Sequence, residues 1–279
     1  QAVLEPAQWL AEHEGAEHIT IAVNESGVVD LDSLREIVAR HGDSIALISV
    51  MHSNNETGVI QPLAEIVEIA GEIPVHSDAI QSWGKVDFSY RDLGLFAASL
   101  SGHKVGGPIG IGILVLRRGV DIPALIHGGG QEREIRSGTV NAPSIIALAT
   151  AISENGYRAD SVASLRKRFE SGVKEILPDA RINGEDVSRL PGISSVTIPG
   201  ALNETLLLLL DSEKISCSTG AACTAGVHRP SHVLEAMGLE EDLVMSTLRF
   251  SSGATTSEAD IDAVLAALPT VVERARSAR

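Results

Sequence analysis

The sequence predicts an α/β fold, in which a mostly parallel sheet flanked by helices leads into a smaller α+β module. Three observations carry this. Short apolar runs recur through about the first 150 residues with helical patterns between them, the rhythm of βα units. The rhythm changes near residue 155, so a large unit over 1–155 and a smaller one over 156–279 are expected. Hydrophobic residues make up 44% of the 279 residues and aromatics only 3%, so an ample core is built from Leu, Ile, Val and Ala.

The elements follow in order. Pro6 to Glu14 is a helical pattern ended near Gly15, and His18 to Val23 an expected strand. Asp30 caps a helix that closes at His41 before Gly42. Ile45 to Met51 is nearly all apolar, as a strand buried on both faces would be. Pro62 opens a short helix to Ala70. Ile73 to Ser77, Phe96 to Leu100 and Gly112 to Leu116 are three further strands. Beyond Gly156 come a helix from Ser161 to Leu177, a strand from Ser194 to Ile198 and a helix from Glu204 to Ser212. A short strand from Ile215 to Ser218, a helix from Pro230 to Met237 and a strand from Leu248 to Ser251 follow. Thr255 and Glu258 have capping-box spacing at the head of the last helix, and Arg274, Arg276 and Arg279 suit its solvated C-terminal end.

Charge and cysteine count narrow the function. A formal net charge of −15 repels phosphate backbones, which argues against a nucleic-acid partner. There is no run of eighteen apolar residues, so no membrane span is expected. Cys217 and Cys223 make neither a disulfide framework nor a CxxC pair, which fits a reducing, cytoplasmic setting. His228 and His232 are separated by Pro230, which breaks the helix a zinc pair would need; no resident metal is expected.

Several residues carry chemistry by position. Asp78 and Lys104 each follow an apolar strand, where open α/β sheets gather ligands. A lysine that can hold an aldehyde and a carboxylate that can face a pyridine nitrogen are what pyridoxal phosphate requires. Ser101 and His103 flank the lysine as possible phosphate donors. Taken alone, Asp78 reads as a helix cap and Lys104 as a surface lysine in a Gly-rich loop; it is the pair, each at a strand end, that points to chemistry. Cys223 lies among Gly, Ala, Ser and Thr, the setting of an accessible thiol, whereas Cys217 ends an apolar run and reads as core. Arg249 sits within an apolar strand and needs a partner, either a substrate carboxylate or an internal Asp or Glu. Residues 128–139 are too rich in glycine and charge for a core element and read as a structured loop.

Taken together, MHSNNETG at 51–58, HSDAIQ at 76–81, SGHK at 101–104, GGGQEREIRSGT at 128–139, the STGAACTAG stretch at 218–226 and Leu248 to Ser251 resemble the NifS/IscS-type cysteine desulfurases. These are fold-type I pyridoxal-phosphate enzymes of the class V aminotransferase group. The resemblance implies that Lys104 binds the cofactor covalently and moves protons, Asp78 faces the ring nitrogen, Gln81 the ring hydroxyl, and Ser101 and His103 the phosphate. It implies that Asn55 lies near cofactor and substrate, and that Arg249 anchors the carboxylate of cysteine. By the same resemblance, Cys223 is expected to take the sulfur as a persulfide and to serve as a transient iron–sulfur ligand, and Thr139 to reach the phosphate in the other subunit of a homodimer. The resemblance further implies that the sulfur passes to a scaffold or other acceptor protein for iron–sulfur cluster assembly.

The resemblance starts part-way into the family's pattern: Gln1 to Leu4 is similar to the stretch just after the ring-stacking histidine. That histidine and roughly a hundred upstream residues lie outside this sequence, and the 279 residues alone are expected to bind little cofactor and to expose sheet edges. The rival readings are a selenocysteine lyase, a related class V aminotransferase and an inactive truncated remnant.

Overall fold

The computed structural model describes residues 1–220 and 230–278. A four-stranded sheet comes first, in spatial order β1 (Ile48–Ser49), β2 (Val75–Asp78), β3 (Ala97–Ser101) and β4 (Gly112–Leu116). β1, β2 and β3 run parallel, and β4 is antiparallel to β3. Helices α1 (Leu4–His13), α2 (Leu31–His41) and α3 (Leu63–Ala70) belong to this part, and α4 (Ala142–Ser153) follows it. The second part is built from α5 (Ala159–Ile176), an antiparallel sheet β5 (Arg181–Ile182), β6 (Ile193–Thr197) and β7 (Thr247–Ser251), and the helices α6 (Asn203–Ser212), α7 (His232–Ala236), α8 (Glu241–Val244) and α9 (Glu258–Ser277). Among the described residues two large cores and a small third one, of Leu234, Met237 and Val244, result. One large core packs Leu34, Leu63 and Ile66 against the parallel strands; the other packs Val173, Leu206 and Leu268 against β6 and β7.

The local chemistry explains the element ends. Asp30 accepts from the backbone N–H groups of Asp32 and Ser33 at 2.9 and 3.1 Å, satisfying donors that α2 leaves open. Several expectations need correction. His18 to Val23 is not a strand: only Val23 bridges Val29, since no neighbouring strand supplies a ladder among the described residues. The Ile45 to Met51 run is not buried on both faces; it forms the sheet edge, with Leu47 49% exposed and only Ile48–Ser49 in the ladder. β4 also shows apolar side chains at the surface, Ile113 and Leu114 among them. Ile215 to Ser218 contributes a single bridge, from Ser218 to Arg249. The last helix is capped by Ser257 and Asp260, not Thr255 and Glu258, in a reciprocal pair of bonds. Arg276 is not simply solvated: it pairs with Asp179 at 2.5 Å and donates to the Pro199 carbonyl. Helices α4 and α8 were not expected from the sequence.

The two parts are stitched by backbone. Val59 bridges Arg189, Leu190 N donates to Gly58 O at 2.8 Å, and Ile60 N donates to Ser188 O at 2.8 Å. The anchor of this seam is an ion pair within the second part. Arg189 donates to both carboxylate oxygens of Glu170 at 2.8 and 2.9 Å, and Ser194 Oγ donates to the same carboxylate at 2.7 Å. The side chains are 3% and 12% exposed, so the charges are removed from water and depend on each other. Replacing Glu170 by Ala strands a buried guanidinium. The expected loss is about 3–5 kcal/mol of unfolding free energy, read as a lower denaturant midpoint; an unchanged midpoint would show that water or another group compensates Arg189.

Candidate active site

The parallel strands end side by side, and the residues that follow them gather at that end of the sheet. After β1, the chain turns on Asn54, whose Oδ1 accepts from Glu56 N and Thr57 N at 2.8 and 3.0 Å. Gly58 completes the turn at φ +78°, so close to the second part that an added Cβ would lie 3.1 Å from Ile193 Cβ. Asn55 is thereby presented at the tip. After β2, half-buried Asp78 accepts from Ile80 N at 3.0 Å, and its carbonyl takes the N–H of His52 at 2.8 Å. Beside it, His76 is held between Ser49 Oγ at 2.7 Å and Ser99 Oγ at 2.9 Å. Burial lowers the pKa of His76, against a smaller upward pull from Asp78. After β3, Lys104 lies in a single tight turn, and Ser101 Oγ bonds His103 Nδ1 at 2.7 Å.

From the second part comes Arg249, on β7 opposite Ser195. Its Nη1 donates to the carbonyl of Asn55 at 2.9 Å, while its Nε is buried without a partner among the described residues. Among the described residues no carboxylate forms an ion pair with Arg249, so the internal Asp or Glu that sequence left open is not there.

A cleft of about 210 Å³ opens between these groups. Of the expected residues, Asn55, Gln81, Lys104 and Arg249 line it. Asp78, Ser101 and His103 sit at the strand ends without lining the cleft, and Thr139 is exposed on the 128–139 loop. That loop is structured, with Glu132, Arg133 and Glu134 at positive φ and Gly138 N bonded to Gln131 Oε1. Cys223 lies outside the described residues. On either side of 221–229 the chain rests on one buried carboxylate: Ser231 Oγ donates to Glu56 Oε2 at 2.5 Å, and Gly220 packs so near that a Cβ would be 2.9 Å from that oxygen.

Sequence reasoning gave no site role to Lys85, Tyr157, Ser251 and Ser252, which also line the cleft. Lys85 had a signal in its spacing, four residues after Gln81, whose Oε1 accepts from its Nζ at 3.2 Å. Tyr157 had none, because it arrives from the junction of α4 and α5.

Residues 1–264 match the family model for class V aminotransferases. The chain belongs to that family. Within it, the chain is 47% identical to an IscS-like cysteine desulfurase of Mycobacterium tuberculosis, over 99% of this chain and 72% of that protein. A solved NifS-like protein superposes with a TM-score of 0.86 at 34% identity, covering 98% of this chain and 72% of that one. A structure of SspA in complex with cysteine superposes at 0.78 with 32% identity, over 91% and 71%. The chain thus falls among the IscS/NifS-type members, and among the described residues no helix is long and apolar enough to cross a membrane.

Electrostatics within this class V cleft are cationic. Burial, reinforced by the neighbouring Lys104 charge, pushes the Lys85 amine down to about 8. The Tyr157 phenol is raised by burial, partly offset by Arg166. Cys217, half-buried against the second core, is pushed up to about 11 by burial and by Asp211, which suits the inert role expected of it. The Lys85 value has a direct check. After reductive ¹³C-methylation, one lysine resonance should titrate near pH 8, losing charge above that pH, and Lys104→Met should move its midpoint upward. A midpoint in the ordinary lysine range, near about 10.4, would contradict the burial and repulsion described.

Proposed function

We propose that this protein is a pyridoxal-phosphate-dependent cysteine desulfurase. It converts L-cysteine to L-alanine and passes the sulfur, held as a persulfide on Cys223, to acceptor proteins for iron–sulfur cluster assembly. The observation that carries this reading is that Lys104, Gln81 and Arg249 share one cleft: an amine, an amide and a guanidinium without a carboxylate partner among the described residues.

The donor set fits the cofactor. Lys104 Nζ would hold the aldehyde and Gln81 the ring hydroxyl, with Asn55 beside them. Asp78 has one oxygen bonded to Ile80 N, and its other oxygen would accept from the ring nitrogen. Ser101 and His103 would take the phosphate, joined by the partner subunit's Thr139. The exposure of Thr139, with Leu125 83% and Ile109 90% exposed, supports a homodimer that covers this surface. When bound, pyridoxal phosphate supplies an electron-accepting ring that acidifies the substrate Cα–H.

The residues of the chain do the rest. Arg249 binds the cysteine carboxylate and fixes its orientation. Lys104 Nζ moves the proton at Cα. The Cys223 thiolate attacks the substrate sulfur: an S–S bond forms, the C–S bond breaks with its electrons on carbon, and protonation there yields alanine. No external oxidant or reductant is needed. The division near residue 155 separates the lysine-bearing part from the part that carries Arg249 and Cys223, and the free Cys217 thiol suits a reducing cytoplasm.

Three measurements test the reading in the intact protein. Borohydride reduction with pyridoxal phosphate should fix label on the peptide containing Lys104; label on Lys85 would overturn the assignment. With a thiol such as dithiothreitol added to reduce the persulfide, cysteine should yield sulfide and alanine, and Cys223→Ser should stop sulfide release without bleaching the cofactor; retained release would favour lyase-type C–S cleavage that does not use Cys223. Arg249→Ala should keep the colour and raise the KM for cysteine by roughly 2–4 kcal/mol in binding terms, whereas an unchanged KM would mean that Arg249 serves only to hold Asn55.

A further inference from the structure

Lys85 lines the cleft and has no task in the reaction above. Its place is fixed from both sides. Gly84 turns the chain at φ +75°, where a Cβ would lie 3.0 Å from Val105 Cγ1 and 3.1 Å from Asn155 Nδ2, so the turn packs directly against the residue after Lys104. Asn155, at the end of α4, donates to the Gly84 carbonyl and pins the turn from the second direction. Backbone bonds from Lys85 N and Val86 N to Ser82 O close it. The amine thus points into a cleft with no carboxylate in its lining, and its one protein acceptor among the described residues is Gln81 Oε1 at 3.2 Å.

An ammonium has three donors and no acceptor, whereas a terminal amide offers an acceptor at one end and a donor at the other. The contact therefore decides which way the Gln81 amide faces. With Oε1 committed to Lys85, Nε2 is left without a protein partner among the described residues. We propose that Lys85 is a positioning residue: it locks the Gln81 amide so that the cleft presents an N–H donor, and not a carbonyl, to the ring oxygen of the cofactor. An unlocked amide would divide its time between a donor and an acceptor, and an acceptor repels an oxygen that carries negative charge. This inference rests on the reading that pyridoxal phosphate occupies the cleft.

The test compares pyridoxal 5′-phosphate with 3-deoxypyridoxal 5′-phosphate, which lacks the ring oxygen, by absorbance titration of the intact protein. Lys85→Met should weaken binding of the first about twofold, the cost of an amide that presents its donor half the time, and leave the second unchanged. Gln81→Ala, which removes the hydrogen bond itself, should weaken the first about 5- to 10-fold and spare the second, the double variant should be no worse than Gln81→Ala, and Lys85→Arg should restore binding. Gln81→Glu, which keeps an acceptor for Lys85 but removes the N–H₂, gives an arm that leaves Lys85 in place; it too should penalise only the ligand with the ring oxygen. Equal weakening of both ligands by Lys85→Met, or additive losses in the double variant, would reduce Lys85 to a charge or packing role and overturn the proposal. If the unsubstituted full-length protein binds neither ligand, the cofactor reading itself fails. If it binds both and Lys85→Met is silent, only the present inference falls.

Discussion

The geometry of the cleft depends on the buried pair between Arg189 and Glu170. Two desolvated charges are a costly way to stabilise a protein, and well-packed apolar residues of similar volume often serve as well or better. What the pair supplies is position. Arg189 stands in the backbone segment that bridges Val59, and that seam holds the turn on which Asn55 is presented. Asn55 in turn receives the Arg249 guanidinium. Glu170 comes from α5 and Ser194 from β6, so one carboxylate ties helix, sheet and seam together.

The cleft is assembled from two kinds of backbone. Lys104 and Gln81 follow parallel strands, whose ends lie together because the strands are neighbours in the sheet. Arg249 projects from an antiparallel sheet whose approach is set by close backbone contact: a Cβ on Gly192 would lie 2.2 Å from the Ser252 carbonyl, and Ser252 N donates to Gly192 O at 2.9 Å. Glycine is needed there because the next stretch of chain occupies the space a side chain would take. The Nε of Arg249 is buried without a partner among the described residues, as are those of Arg166 and Arg189.

Much of this was legible in the sequence because it is local. Apolar runs located β2, β3, β4, β6 and β7, β4 to the residue, whereas β5 was not expected and the runs at His18 to Val23 and Ile215 to Ser218 form single bridges; polar residues at the strand ends pointed to Asp78 and Lys104. Burial of the outer strands was not legible, since composition says what a strand tolerates and not whether it has a neighbour. The cap of α9 was misread because Thr255 and Ser257 both have an acidic residue three positions on, and only backbone geometry chooses between them. Contacts across long sequence distances were invisible: Arg276 with Asp179, Tyr157 in the cleft, and Glu170 beneath the seam. Cys223 is known through its sequence setting alone.

The cleft also has a kinetic consequence. Lys85, Lys104 and Arg249 line it without a carboxylate among the lining residues, yet the whole chain carries a formal net charge of −15. An incoming phosphorylated ligand is repelled at long range and attracted at short range. Salt screens the long-range field beyond about 8–10 Å, while partly buried charges are screened much less. Association of such an anion should therefore speed up as ionic strength rises from very low values, the reverse of ordinary electrostatic steering, before further salt begins to weaken the contacts within the cleft. The protein's surface and its site thus pull the same ligand in opposite directions, and the ionic strength of the medium sets which of them governs entry.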